Sequence, residues 1–149
     1  WLKLITKNEM KSKLTSFVNF SYNNAKYIRS KEEAFQNKDV ELVPPIVIKS
    51  GVSYVRKGFS ISFQYSYTQQ HYSDATNSTH QANAVNGLIP SYMVFDFSSR
   101  YKVNKFQFEF GINNLTNNYY FTRRAISYPG PGIIPSAPRN FYFTIQLEI

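Results

Sequence analysis

Residues able to do chemistry gather at a few places in the chain. Arg123-Arg124 set two guanidinium groups side by side. Such a pair can grip carboxylates through two parallel hydrogen bonds, or neutralise phosphates and nearby acids. His71, Asp74 and His80 combine imidazole with carboxylate, the donor chemistry of a transition-metal site. No second carboxylate lies close enough to complete the ligand set, and the surrounding Asn, Ser and Thr suit a solvated loop, so no metal site is expected. Tyr128-Pro129-Gly130-Pro131-Gly132 alternates rigid and permissive backbone, which suits a fixed loop returning the chain to its next element. It is no phosphate cradle, because neither a Walker lysine nor a helical pattern follows. Both histidines fall in or beside one polar segment, so no Ser/His/acid set can be assembled, and neither a catalytic residue nor enzymatic activity is expected.

Composition narrows the classes further. The 149 residues include 13 Phe, 12 Tyr and 1 Trp but no Cys, which removes disulfide frameworks, thiolate nucleophiles and sulfur-ligated metals. The net charge of +8 comes from 17 Lys and Arg against 9 Asp and Glu. These charges are scattered rather than gathered on one helical face or tail, so a nucleic-acid partner is not expected. No apolar run approaches the roughly 20 residues of a membrane-spanning helix. The chain opens on Trp1 in mid-pattern, which reads as a fragment of a longer protein, so the lack of a targeting signal carries no information.

The elements that must position these residues follow from a period of two. Phe59, Ile61, Phe63, Tyr65 and Tyr67 alternate with Ser60, Ser62, Gln64 and Ser66, which gives one apolar and one polar face. The same alternation recurs at Leu14, Val18, Phe20 and Tyr22; at Ile46, Ile48, Val52 and Tyr54; at Met93, Phe95, Phe97, Tyr101 and Val103; at Phe106, Phe108, Phe110 and Ile112; and at Phe141, Phe143, Ile145, Leu147 and Ile149. With a stub over residues 1–6 this makes about seven strands. Helical spacing is poorly kept, and Phe, Tyr, Val, Ile and Thr favour strands.

Register tests the reading. A two-residue turn at Asn104-Lys105 pairs Val103 with Phe106, Tyr101 with Phe108 and Phe97 with Ile112, and on the polar face sets Arg100 opposite Glu109. A turn at Lys57-Gly58 pairs Tyr54 with Ile61 and Val52 with Phe63. Connections then alternate between short (7–12, 57–58, 104–105) and long (28–45, 73–90, 114–138). In an up-and-down meander that puts tight turns at one end and long loops at the other, the proportions of an outer-membrane barrel. Segments of roughly 9 to 15 residues are long enough to cross a bilayer at a tilt, whereas soluble strands average about 5 to 6. Tyr22, Tyr65 and Tyr67 fall toward the long loops and Tyr54 and Tyr101 toward the short turns, where an aromatic ring with a hydroxyl suits a bilayer interface. The fold class is therefore all-β, an antiparallel up-and-down transmembrane barrel. A soluble all-β ligand-binding domain is the alternative, and Phe59-Ile61-Phe63 and Phe106-Phe108-Phe110 leave it without a water-compatible outer face. Asp96, Arg100, Glu109, Tyr142, Gln146 and Glu148 then face the lumen, as a structural lattice or as part of a transport path.

Ile89-Pro90-Ser91-Tyr92 with Asp96, followed by Gly111-Ile112-Asn113-Asn114-Leu115-Thr116-Asn117-Asn118-Tyr119-Tyr120, resembles the closing strands of TonB-dependent outer-membrane receptors. Phe121-Thr122-Arg123-Arg124-Ala125, Tyr128-Pro129-Gly130-Pro131-Gly132-Ile133-Ile134-Pro135 and Arg139-Asn140-Phe141-Tyr142 resemble the ferric citrate branch of that family. Val43-Pro44-Pro45 and the 54–67 hairpin are similar to the strands before them, so the resemblance spans essentially the whole chain.

The resemblance implies that residues 1–149 are the C-terminal part of a barrel of about 22 strands whose N-terminal plug domain is not in this chain. It further implies uptake of a ferric chelate, ferric citrate above all, across the bacterial outer membrane. Transport would be energised by the TonB complex through a short N-terminal box. Another siderophore, cobalamin or an oligosaccharide is the alternative cargo. Arg123, Arg124 and Tyr128 become candidate ligand contacts, Arg100 and Glu109 a lumen charge pair, and Phe141, Phe143, Ile145, Leu147 and Ile149 a terminal strand read by the barrel-assembly machinery. That strand ends on Ile149 where the family often has an aromatic residue. Other implied partners are outer-membrane lipid and lipopolysaccharide, with which the arginines could pair instead. No resident cofactor is expected, iron entering only within the transported chelate. Asn77-Ser78-Thr79 matches a glycosylation acceptor pattern that has no force in such a membrane.

Seven strands of a larger barrel keep two unpaired edges, so the isolated 149 residues should not close into a stable barrel. Refolding them into detergent should give no heat-modifiable band on electrophoresis; a folded band that shifts on boiling would refute this.

Overall fold

The computed structural model describes residues 2–8, 12–82, 84–127 and 130–149. Its strands are β1 (Leu2–Asn8), β2 (Ser12–Tyr22), β3 (Ile46–Arg56), β4 (Phe59–Thr68), β5 (His71–Tyr72), β6 (Leu88–Ile89), β7 (Tyr92–Val103), β8 (Phe106–Asn113), β9 (Phe121–Ala125), β10 (Gly132–Pro135) and β11 (Asn140–Leu147). Seven form one antiparallel sheet in the order β1-β2-β3-β4-β7-β8-β11. Each is bonded to its neighbour along its length, the up-and-down meander that the alternating connections required.

The register is the one the pattern demands. Tyr54 pairs with Ile61 and Val52 with Phe63 across β3 and β4, and Tyr101 pairs with Phe108 and Phe97 with Ile112 across β7 and β8. The turns hold it there. Lys57 and Gly58 have φ of 45° and 81°, the left-handed pair of a type I′ hairpin, and Asn104 sits at 52°.

Because opposed residues share a face, the sheet's two sides can be read row by row. Val52, Phe63, Phe97, Ile112 and Phe141 run in one line across five strands. On the other side Thr15, Ser53, Ser62, Ser98, Gly111 and Tyr142 run in parallel. Among the described residues the only buried hydrophobic side chain is Ile89. The apolar face instead points outward, with Phe20 62% and Phe63 45% exposed. A water-soluble sheet would cover such a face, so this one is built for an apolar solvent. Cross-strand rings reinforce it: Phe63 and Phe97 lie 4.9 Å apart and Tyr65 and Phe95 4.8 Å, pairs worth about 0.2–1 kcal/mol each.

Two of the aromatic rings on the polar face each lie over a glycine. Phe17 covers Gly51 and Tyr142 covers Gly111, so closely that a Cβ on either glycine would overlap the ring. Glycine is therefore needed at both places for space, and the ring replaces the contact that the missing side chain cannot make.

Three expectations change. The stretches 73–90 and 114–138 are not plain loops, since β6 in the first pairs with β5 just before it and β9 pairs with β10 inside the second. Strands of two to five residues are too short for alternation to reveal. Only 28–45 lacks strand, containing a 3-10 turn at Glu33–Phe35. The terminal strand also stops before Ile149: β11 ends at Leu147 opposite Phe106, the first residue of β8, and beyond it the Glu148 N–H donates to the Lys105 carbonyl of the turn at 2.9 Å. Residue 1 of the expected first strand and residues 9–11 of the first turn lie outside the described residues.

In the complete protein, Gly111→Val should lower stability by about 1–3 kcal/mol through overpacking against the Tyr142 ring. Adding Tyr142→Ala should recover part of the loss; urea unfolding followed by electrophoretic mobility checks both.

Candidate functional site

All three long connections leave the same end of the sheet, and side-chain bonds to backbone join them there. The first, 23–45, begins with Asn23, whose N–H donates to the Pro45 carbonyl at 2.8 Å and whose amide donates to that of Pro44 at 3.0 Å. Within it the Tyr27 hydroxyl donates to Glu41 at 2.7 Å. That bond, with desolvation and the glutamate's charge behind it, raises the Tyr27 pKa above its ordinary value. The second connection is tied to the first by Asn77. Its amide donates to the Asp39 carbonyl at 2.8 Å and its oxygen accepts from the Asp39 N–H at 2.7 Å, imitating a rung of β-ladder.

The third connection starts from Asn114, 2% exposed and at φ 52°, a left-handed conformation that asparagine tolerates. Its N–H donates to the Asp96 carboxylate at 2.8 Å, so a side-chain oxygen takes the place of a ladder carbonyl as β8 ends. Its amide donates to the Asn118 carbonyl at 2.9 Å while its oxygen accepts from the Asn118 N–H at 2.8 Å. Asn118 in turn donates to the Met93 carbonyl at 2.9 Å, and Asn117 accepts from the Arg139 N–H at 3.0 Å. The asparagine-rich segment thus pins the last loop to β7 on one side and to the start of β11 on the other.

Arg123 and Arg124 lie on β9, not on a bare loop, and the strand sends them apart. Arg124 donates to the Ala84 carbonyl at 2.7 Å and to the Leu88 carbonyl at 2.9 Å, with its guanidinium 5.1 Å from the Phe121 ring centroid. Its fork is spent on the chain's own backbone, a third use beside the carboxylate grip and the phosphate or acid pairing expected of the two arginines. Arg123 is exposed, and its side chain makes no hydrogen bond among the described residues. Tyr128 and Pro129 lie outside the described residues.

His71, Asp74 and His80 do not converge. His71 donates from Nδ1 to the Gln69 carbonyl at 3.0 Å, Asp74 accepts from Thr76 and from Ser78 at 3.1 Å, and His80 forms a bridge with Gly87. Among the described residues no three His, Cys, Asp or Glu side chains gather as a metal site. Asn77, whose neighbours spell an acceptor pattern, is used as a fastener.

The polar face below carries the lattice. Arg100 donates to one Glu109 oxygen from Nη2 at 2.9 Å and from Nε at 3.2 Å, and Tyr142 donates to the other at 3.2 Å. Lys102 reaches past β8 to both oxygens of Glu148 at 2.8 Å, and Gln107 donates to Gln146 at 3.1 Å. These bonds join β7, β8 and β11 near the short turns.

Between the three connections and the loop end of the polar face is a cavity of about 560 Å³. Lys49 of β3, His71 of β5 and Asp96 and Tyr92 of β7 line it, together with Tyr120 and Thr122 from the last connection. Tyr92 and Tyr120 stack with centroids 4.8 Å apart. A second hollow of about 400 Å³ shares Lys49, Ser66 and Asp96 and extends down the wall past Asn19. Sequence reasoning missed this site. Asp96 was legible as lumen-facing and His71 as an imidazole, and the signal left unread is Lys49, a lone cation on the polar face of a strand otherwise lined there by Val47, Gly51, Ser53 and Val55.

A sheet with lipid-type and water-type faces, long loops gathered at one end and a cavity beneath them is the wall of a receptor barrel. Residues 5–115 match the family model described as TonB dependent receptor-like, beta-barrel, and the chain belongs to that family. Among solved structures it is similar to the ferric citrate transporter FecA in the unliganded form, with a TM-score of 0.78 and 22% identity over 92% of this chain and 21% of that one. The siderophore receptor PiuA from Acinetobacter baumannii gives 0.68 and 21% identity over 96% and 20%. The closed form of the ferric-catecholate import receptor Fiu from E. coli K12 gives 0.72 and 17% over 90% and 18%. At these identities the likeness is one of fold, and the chain spans about a fifth of each of these proteins. No curated protein matches it.

Removing the Arg124 fork frees two carbonyls and unties the second loop from the third. Arg124→Ala should make residues 73–90 cleavable at protease concentrations that leave the parent receptor intact, whereas Arg123→Ala should not; limited proteolysis of the two variants decides it.

Proposed function

We propose that this chain supplies the C-terminal strands of a bacterial outer-membrane receptor that imports a ferric chelate, ferric citrate in the first instance. The carrying observation is a sheet apolar outside and polar inside whose three long connections close over a cavity at one end, in a chain of this receptor family. The fold likeness to a ferric citrate transporter supports the choice of chelate, as do the residues of the last connection. In this reading residues 1–149 complete a barrel of about 22 strands. A plug N-terminal to them fills the lumen, and the TonB complex supplies energy through a segment beyond the plug. The barrel-assembly machinery reads the strand carrying Phe141, Phe143, Ile145 and Leu147, while lipid and lipopolysaccharide meet the outer face and loop rim.

The protein's work is transport rather than catalysis. Chelate enters the mouth, contacts the loops and the wall, and passes inward when the plug is displaced. Arg123, exposed at the rim, is the arginine that can meet an incoming carboxylate. Arg124 acts on the site by fixing the strand that carries Arg123, and Tyr128, close by in sequence, is kept as a candidate ligand contact. Iron is cargo, held by the chelator, and no resident cofactor is invoked.

Equilibrium binding to the complete receptor in detergent tests the substrate. Ferric citrate should bind, and free citrate and a ferric hydroxamate should not compete at similar concentration. Binding of another ferric chelate, cobalamin or an oligosaccharide in place of ferric citrate would replace the substrate and leave the family unchanged.

A further inference from the structure

The wall of the cavity distributes charge and hydrogen-bonding capacity unevenly. Lys49 is its one cation, and the ammonium makes neither an ion pair nor a hydrogen bond among the described residues. His71 is 7% exposed and lines the same space. A carbonyl can only accept, so the bond to Gln69 places a hydrogen on Nδ1 and leaves Nε2 of the neutral ring as an acceptor with no partner among the described residues. Asp96 gives one oxygen to the Asn114 N–H, and its other oxygen has no hydrogen bond among the described residues. The stacked Tyr92 and Tyr120 and the Thr122 side chain border these groups.

One donor cation beside two unused acceptors defines a ligand. Lys49 calls for a carboxylate, while Nε2 of His71 and the free oxygen of Asp96 call for hydroxyl or amide hydrogens. A ligand surface of carboxylate oxygens pairs with the lysine directly and meets His71 and Asp96 through bridging water, whereas one with its own hydroxyl or amide hydrogens meets all three directly. A purely neutral ligand would leave the lysine unpaired once water is displaced.

We propose that Lys49 and His71 form a wall subsite for a carboxylate-bearing ferric chelate, the carboxylate on Lys49 and a hydroxyl, amide or bridging-water hydrogen on His71, and that this subsite discriminates such chelates from tris-catecholates and simple hydroxamates. The inference rests on the receptor reading above and assigns recognition to the barrel wall beneath the loops, on a strand and a hairpin that the fastened connections hold in place.

The test uses the complete receptor and three probes: ferric citrate, a ferric citrate-hydroxamate chelate and a ferric tris-catecholate. Lys49→Gln should weaken binding of the carboxylate-bearing probe that the parent receptor prefers by about tenfold, and Lys49→Arg should stay within about threefold of the parent. His71→Asn keeps an amide donor near the Nδ1 position for Gln69 while deleting Nε2, so it should weaken the same probe and leave the heat-modifiable band unchanged. Parent-like binding by a folded Lys49→Gln receptor would overturn the subsite and leave the receptor reading intact. Preference of the parent for the citrate-hydroxamate over ferric citrate would overturn the citrate assignment, with the Lys49 effect still expected. A parent receptor that bound neither carboxylate probe would overturn both.

Discussion

Strand register is the constraint from which the rest of this structure follows. Side chains alternate across a strand, so a slip of one residue would send Phe63 and Phe97 to the lumen side and Gln64 and Asp96 to the lipid side. In a bilayer neither error can be absorbed, because buried polar groups find no water there and the backbone must satisfy every hydrogen bond within the sheet. Two tight turns fix the phase of four strands, and the apolar row Val52, Phe63, Phe97, Ile112 and Phe141 that results is continuous from β3 to β11. Gly51 and Gly111 belong to the same constraint: the register places an aromatic ring directly across from each, and only the smallest residue leaves room.

Once the register is set, the loop end is organised by few residues. Asn77 and Arg124 each bond to backbone in another connection, and between them they link all three, while Asn114 folds the start of the last one on itself. Backbone groups outside regular strands need partners, and an amide or guanidinium offers several donors from one side chain. This explains why residues with binding chemistry are found at structural tasks here. Arg124 has the fork to hold a carboxylate and instead holds Ala84 and Leu88. Asn77 has the neighbours of a glycosylation acceptor and instead mimics a strand.

The site depends on both layers. The sheet presents Lys49 and Asp96 on its inner face near the mouth, and the fastened connections bring His71, Tyr120 and Thr122 over them. Near the opposite end, Arg100, Glu109, Tyr142, Lys102 and Glu148 are consumed by one another. The division matches the architecture: polar residues near the short turns stabilise the wall, and unsatisfied ones near the long loops remain available to a ligand.

The sequence alone determined the sheet. Alternation over ten or so residues, turn chemistry at Lys57-Gly58 and Asn104-Lys105, and the pairing of Arg100 with Glu109 are local or periodic properties, and period two leaves one solution for which side each residue faces. The outward apolar face, the up-and-down order and the division into a turn end and a loop end follow from the same pattern. Tertiary structure decided the rest. Whether Arg124 is free or spent depends on carbonyls some forty residues earlier, and no spacing rule relates the two. The short hairpins β5–β6 and β9–β10 take their pairing from contacts between loops rather than from their own few residues. The cavity is the clearest case: Lys49, His71, Asp96 and Tyr120 are dispersed through the chain, and only the folded connections, closing over a sheet of fixed register, bring them to one place.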